Sequence, residues 1–321
     1  MALNNIEEAY HRLKNVVNRT PVMTSRTLNK ITGAKSVYLK CENFQRVGAF
    51  KFRGAFNALS LLTSEERKRG VITHSSGNHA QAVALAASIL GINATIVMPK
   101  GAPINKINAT KGYGPAIVFC DNSLESRIQT TKQLIEKNQF VLIHPYDNDN
   151  VINGAGTVVY ELIKEVGDLD LVVTPLGGGG LLSGTAIATK GLCPRSKVIG
   201  VEPTIANDAY RSIQVGRIIP SNYPNTIADG LRTSLCERTF NIIQKNVDEI
   251  ITVSELEIVN AMRFLWERMK IIVEPSGAVP IAALLSNNVE AENKKVGVII
   301  SGGNVILDDF FQQLERRLLN D

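Results

Sequence analysis

Short apolar runs alternate with longer segments of helical spacing along most of this chain. Ser36–Lys40, Val71–His74, Ala94–Met98, Ala116–Phe119, Val141–His144, Leu171–Pro175, Val198–Val201, Ile250–Val253 and Val296–Ile300 read as strands. They are rich in β-branched residues, as expected of strands buried on both faces. In the first 17 residues Ile6, Tyr10, Leu13 and Val17 recur at helical spacing, which predicts an amphipathic helix. Further helices are predicted over Ala55–Leu62, His79–Leu90, Leu124–Asn138, Val158–Val166, Leu181–Lys190 and Glu255–Met269, with a last one from Leu307. Thr63–Gly70 reads as a polar connection. Strand and helix in alternation imply an α/β protein with parallel sheets covered on both faces. No internal repeat, low-complexity tract or Pro/Gly/Ser linker interrupts the pattern.

Composition narrows the class. At 321 residues the chain has room for about two domains. Apolar residues make up 44% and charged residues 20%, an ordinary globular balance that excludes a disordered or fibrous chain. The net charge of +5 is mild, and the basic residues form no runs, so neither a nucleic-acid nor a membrane partner is indicated. The segments Ser75–Pro99 and Leu171–Thr189 carry little charge. The first is broken by polar residues and the second by Pro175 and four glycines, and neither can span a bilayer as one helix. The N-terminal helix carries Glu7, Glu8, His11, Arg12 and Lys14 and is not a signal peptide. Cys41, Cys120, Cys193 and Cys236 lie far apart, which reads as reduced thiols in a cytoplasmic setting.

Four segments carry candidate chemistry. Gly177, Gly178, Gly179 and Gly180 follow a strand and open a helix, where free N–H groups can cradle a phosphate. The run is not a dinucleotide fingerprint, because Leu182 stands where its last glycine belongs, and no P-loop lysine follows. A tight helix–strand turn is the alternative, but four adjacent glycines are costly for that purpose alone. Ser75, Ser76, Gly77, Asn78 and His79 also join a strand to a helix and suit a carboxylate; a simple N-cap would use the same residues. Lys51 lies between Phe50 and Phe52. Apolar surroundings disfavour its charged form, which makes it a candidate Schiff-base nucleophile or, more plainly, a snorkelling lysine. Ser301 ends the run Val296–Ile300, where ligands of α/β sheets bind and where plain turns also occur.

One ligand accounts for all four segments. A phosphate, a carbonyl awaiting a lysine and a ring with polar edges describe pyridoxal 5′-phosphate. With Lys51 in its FKxRGA setting, Ser75–His79, Gly177–Gly180, Thr226–Gly230, Glu274–Gly277 and Ser301–Asn304 in order, the chain resembles the serine racemase and serine/threonine dehydratase family. These are pyridoxal-phosphate enzymes of the tryptophan-synthase-β-like fold. The resemblance implies two parallel-sheet α/β domains with the cofactor in the cleft between them: residues 68–146 as the small domain, 1–67 and 147–321 as the large. It implies that Lys51 forms the internal aldimine and takes the substrate's Cα proton, that Phe50 packs on the ring, and that Asn78 bonds the ring's 3′-oxygen. Gly177–Gly180 would hold the phosphate and Ser301 would face the pyridine nitrogen. Ser75–His79 would bind the substrate carboxylate, with Ser76 as a second acid/base on the opposite face.

Glu202, Ala206 and Asp208 match the family's cation site, which implies magnesium or calcium; alone they would read as an acidic turn. Ala49 and Tyr146 depart from residues common in the family. Ser25, Arg46, Gln81 and Tyr113 are compatible with the nucleotide site of animal racemases, whereas Arg26, Thr27 and Val47 differ, so a nucleotide effector stays open. The resemblance implies a homodimer that acts on a small amino acid. The expected reaction is dehydration of L-serine or L-threonine to a 2-oxo acid and ammonia, with serine racemisation as a branch. A threo-3-hydroxyaspartate ammonia-lyase is the near alternative, with Arg127 or Arg53 as countercharge for the extra carboxylate. Two other classes remain at this point. A nicotinamide oxidoreductase would use Glu202 on the ribose. A silent cofactor-binding scaffold would keep the residues without turnover.

Overall fold

Buried apolar runs decide the frame. The computed structural model describes residues 1–221 and 224–308, with only the backbone at Leu124. The described strands are β1 Val22–Thr24, β2 Ser36–Cys41, β3 Val71–His74, β4 Ala94–Pro99, β5 Ala116–Cys120, β6 Val141–Leu142, β7 Leu171–Pro175, β8 Lys197–Pro203, β9 Glu249–Val253 and β10 Lys295–Ile300. They form two sheets, one in the order β1-β2-β10-β7-β8-β9 and one in the order β5-β4-β3-β6. Every pairing is parallel except β1 with β2. Every residue of β7 is buried, and β10 and β4 are buried over five of their six positions. Such strands need cover on both faces, and helices supply it.

All strands of the four-stranded sheet fall between Val71 and Leu142, so one continuous stretch builds it. The six-stranded sheet draws on both ends of the chain. Three helices join the two halves of the site. Helix Asp149–Val166 receives helix Lys51–Ser60 on one side and helix Gly180–Leu192 on another. The contacts are backbone on backbone. A methyl group on Gly154 would lie 2.5 Å from the Arg53 carbonyl oxygen, and one on Gly184 would lie 2.6 Å from the Gly156 nitrogen. Only glycine allows that approach, and it sets the start of two other helices against a common support.

Several boundaries differ from the sequence pattern. The helix expected from Ala55 starts at Lys51, because Gly54, a poor helix former, is required at the contact with helix Asp149–Val166. Thr63–Gly70 holds a helix, Ser64–Arg69, closed at its start by reciprocal bonds between Thr63 and Glu66. The helix expected from Val158 begins nine residues earlier, at Asp149, capped by Asn148. The last turn of Glu255–Met269 is a π-helix over Leu265–Met269. Helices Arg26–Thr32, Ile104–Lys111, Asp208–Val215, Glu237–Asn246 and Pro275–Leu285 and strand β1 were absent from the pattern. Pro275–Leu285 is apolar all round and contains Pro280, so it shows no stripe to read. The expected terminal helix lies outside the described residues beyond Asp308. Among the described residues no helix is long and apolar enough to cross a membrane.

A buried ion network ties these elements together. Arg53 is fully buried and uses all five of its N–H donors. Nε and Nη2 reach Glu42 at 2.7 and 2.9 Å, Nη1 and Nη2 reach Glu161 at 2.7 and 2.9 Å, and Nη1 also reaches Thr157 Oγ1 at 3.3 Å. Lys40 completes the set, 2.9 Å from Glu161. Removing one member of a buried ion set strands the others and typically costs about 3–5 kcal/mol. Arg53→Met should therefore lower the denaturation free energy of the holoenzyme by about that amount. A urea-unfolding loss under about 1 kcal/mol would show the network to be energetically neutral filler.

Candidate active site

The end of β10 fixes where helix Lys51–Ser60 begins. The Phe50 N–H donates to the Ser301 carbonyl at 3.0 Å, Ala49 bridges Gly302, and the Gly303 N–H donates to the Gly48 carbonyl at 2.9 Å. Two expected site segments from opposite ends of the chain are thus held together by main-chain bonds. Lys51 stands at the first turn of the helix. Its Nζ donates to the Pro145 carbonyl at 3.1 Å and lies 5.0 Å from the centre of the Phe50 ring. Among the described residues it forms no ion pair. Desolvation pushes its pKa down to about 8, and the field of Glu274 offsets part of that shift. A half-buried, desolvated amine poised near neutrality is a nucleophile.

The glycine loop faces the same neighbourhood. It lies between β7 and helix Gly180–Leu192, whose first N–H groups have no partner within the helix. Tyr146 seals one side. A methyl group on Gly178 would lie 2.4 Å from the Tyr146 ring, and one on Gly180 would lie 2.8 Å from its Cβ. Gly179 has φ +85°, where an L-residue is strained. Pro145 therefore holds Lys51 while the next residue packs on the loop.

The third segment leads into helix Asn78–Leu90, whose N-cap is Gly77 without a side-chain cap. Ser75 Oγ accepts from the Gly77 N–H at 3.2 Å, while Ser76 stays half-buried. Asn78 Nδ2 donates to both oxygens of Glu274 at 2.9 and 3.1 Å. His79 is buried, with Nε2 3.0 Å from the Ile143 carbonyl, so its ring faces the protein interior. Desolvation lowers His79 to about 3 and His74 and His144 to about 4, which keeps all three imidazoles neutral.

The expected cation residues meet at a separate place. Glu202 ends β8 and accepts from the Tyr210 and Ala209 N–H groups at 2.8 and 3.3 Å. A pocket is lined by Ala206, Asp208, Arg211 and Ser221. Both Asp208 carboxylate oxygens are buried without a hydrogen bond of normal geometry among the described residues. Burial raises Glu202 well above the usual carboxylate range and Asp208 to about 6, with the Asp208 amide and Ser221 opposing the latter. No cluster of three His, Cys, Asp or Glu side chains exists among the described residues, so a cation here would lean on carbonyls and water as well.

A family model described as pyridoxal-phosphate dependent enzyme matches residues 13–302. The chain belongs to this family. An L-threo-3-hydroxyaspartate ammonia-lyase from Saccharomyces cerevisiae is 54% identical over 299 residues, spanning 93% of this chain and 91% of that protein. A serine racemase from Dictyostelium discoideum is 49% identical over 312 residues, 96% of each. The structure of maize serine racemase superposes with a TM-score of 0.96 at 42% identity, covering 99% of this chain and 98% of that one. The α/β fold with parallel sheets is that of these pyridoxal-phosphate enzymes, among the serine racemases and the ammonia-lyases of hydroxy amino acids. The family match replaces the nicotinamide reading, and Glu202 is engaged by the Ala209 and Tyr210 N–H groups.

The residues present fit the cofactor. The glycine backbone leaves a side-chain-free cradle at a helix start, and Lys51 offers an amine with no carboxylate partner. Sequence reasoning missed Tyr146 as the wall of the loop and Glu274 as the partner of Asn78. Glu274 was visible only as part of a motif, because its partner lies 196 residues away. Arg53 is corrected: paired with Glu42 and Glu161, it has no charge to spare for a substrate.

Lys51→Ala should abolish the visible cofactor band, and borohydride should label no other lysine. A second outcome follows from linkage. Folding lowers the lysine's pKa, so the unfolded chain binds more protons between about pH 8 and 10.5. The charged amine is a cost below pH 8 that fades as pH rises. In the cofactor-free enzyme Lys51→Met should gain on the order of 2 kcal/mol over wild type at pH 7 and little at pH 10. An equal gain at both pH values would refute the desolvated-amine assignment.

Proposed function

We propose that this enzyme is an ammonia-lyase of 3-hydroxy amino acids, which dehydrates L-serine or L-threonine to a 2-oxo acid and ammonia and racemises serine as a branch. The half-buried Lys51, without an ion pair among the described residues and beside the glycine cradle, carries this reading. When bound, pyridoxal phosphate supplies an aldehyde and an electron-withdrawing ring. Lys51 Nζ then takes the proton from the substrate's Cα, aided by a pKa near working pH. The Pro145 carbonyl keeps that amine in place. The N–H groups of Ser75–His79 at a helix start hold the substrate carboxylate. Asn78 and Ser301 hold the ring edges, Phe50 packs on its face, and Gly177–Gly180 take the phosphate. Racemisation needs a second proton carrier, a role we assign to Ser76 Oγ of the same loop.

One observation favours threo-3-hydroxyaspartate within this class. The Arg127 guanidinium forms no ion pair among the described residues, yet its field adds to the desolvation that lowers His74 and partly offsets the burial that raises Tyr146. A free cation near the cleft suits a second carboxylate, and the hydroxyaspartate lyase relative at 54% identity points the same way. The test assays L-serine, D-serine, L-threonine and both hydroxyaspartate diastereomers for oxo acid and inverted amino acid. Arg127→Gln should cut kcat/KM for L-threo-3-hydroxyaspartate by roughly 10–100-fold and leave L-serine within about threefold. Equal losses on both would remove Arg127 from substrate selection. Ser76→Ala should suppress inversion by about 10²–10⁴-fold while dehydration persists. A parallel fall would reduce Ser76 to a carboxylate ligand or cap.

We further propose that Glu202, the Ala206 carbonyl and Asp208 hold magnesium or calcium. Two buried carboxyl groups whose charged forms are disfavoured by burial support this, since a divalent cation would neutralise both. Chelation should lower the melting temperature, and added cation should restore it along the logarithm of its concentration. Asp208→Asn should remove that response. Identical melting of wild type with and without chelator argues against the site.

A further inference from the structure

Asn78 sits inside a hydrogen-bond chain whose direction is fixed at both ends. At one end is the Val47 carbonyl, which can only accept. Asn304 Nδ2 donates to it at 2.7 Å and, with its other hydrogen, to Asn78 Oδ1 at 2.9 Å. Both Asn304 donors are then spent, and Asn78 must present its oxygen to Asn304. Its Nδ2 is thereby turned to the other end, the Glu274 carboxylate, which accepts one hydrogen across its two oxygens. The second Asn78 hydrogen has no partner among the described residues.

The surroundings hold this arrangement tightly. A methyl group on Gly48 would lie 2.5 Å from Asn304 Oδ1, and one on Gly302 would lie 2.4 Å from Glu274 Oε1. Gly48 and Gly302 belong to the two strips joined across Ala49, so the stitching that places Lys51 also presses on both ends of the chain. Glu274 is buried and takes no salt bridge. Its carboxylate is held by the Asn78 amide and by the Asn304 main-chain N–H, so the Asn304 segment meets both members of the pair.

We infer that Glu274 and Asn304 are positioning residues that lock the Asn78 amide in one orientation, so that its free N–H, and not its oxygen, is offered to the cofactor's ring edge. This rests on the reading of Asn78 as a cofactor ligand. A flipped Asn78 would set its oxygen against the Glu274 carboxylate and its NH₂ against the Asn304 NH₂. The lock therefore chooses a donor where an isolated asparagine would offer either group.

The test uses holoenzymes of Asn304→Ala, Asn78→Ala and the double variant. The readouts are the rate of cofactor loss into a scavenger and the balance of absorbing forms in the visible spectrum. Asn304→Ala should speed cofactor loss by about tenfold and shift that balance, with the melting temperature of the cofactor-free protein little changed. In the Asn78→Ala background the same substitution should add less than about twofold, because the two act through one amide. A loss that persists undiminished without Asn78, or no loss at all, overturns the proposal. Unchanged spectrum and cofactor retention in Asn78→Ala would instead overturn the reading of Asn78 itself, and the proposal with it. If Asn304→Ala does not fold, the near-isosteric Glu274→Gln in the same two backgrounds decides the matter. Its effect must shrink at least threefold without Asn78 for the lock to stand.

Discussion

The site depends on a cation that cannot move. Arg53 lies at 0% exposure with five donors committed to Glu42, Glu161 and Thr157. A guanidinium taken out of water is costly, and only a rigid fork of partners offsets it. Lys40 balances the second carboxylate, and Thr20 gives its hydroxyl to Glu42 at 2.6 Å and its carbonyl to Lys40 at 2.8 Å. The set thus ties β2, the turn after it, helix Lys51–Ser60 and helix Asp149–Val166. Apolar packing could fill that volume, but a bidentate pair also fixes an angle. The angle matters because the first turn of helix Lys51–Ser60 carries the candidate nucleophile.

Lys51 and Arg53 are two residues apart with opposite fates. Two steps along a helix turn the side chain by about 200°, so one cation must face the scaffold if the other faces the cleft. Arg53 gains every partner it can bond. Lys51 gains a single carbonyl, and its charged form is left disfavoured. The helix thereby separates a structural charge from a chemical one.

What was legible in the sequence follows from range. The glycine run, the Ser75–His79 loop and the Lys51 setting are local, because a strand end and a helix start lie within ten residues. The buried strands were legible too, since β-branched runs show without partners. Glu274, Tyr146 and the Arg53 network were not, since each acquires meaning only from a residue far along the chain: Asn78, the glycine loop, Glu161. Arg53 in particular could be read either as a countercharge for substrate or as an ion-pair residue, because nothing near it in sequence marks Glu161 as its partner. Helix Lys51–Ser60 was misplaced by four residues for a related reason. Gly54 argues locally against a helix, and the distant Gly154 outweighs it.

The same packing inverts the usual order of titration in the cleft. Histidines ordinarily change charge between pH 5 and 8, and carboxyl groups do not. Here desolvation holds His74, His79 and His144 at about 3 to 4, neutral throughout that window. Glu274 is raised to about 7 and Asp208 to about 6, so the carboxyl groups titrate instead. A cation beside Asp208 would keep it ionised and leave Glu274 as the group that changes. The charge that varies near neutral pH therefore sits on the residue bonded to Asn78. Protonating it leaves one oxygen to accept from Asn78 but removes the charge that strengthens that bond. The geometry at the ring edge and the ionisation of one buried carboxyl are in this way a single coupled property.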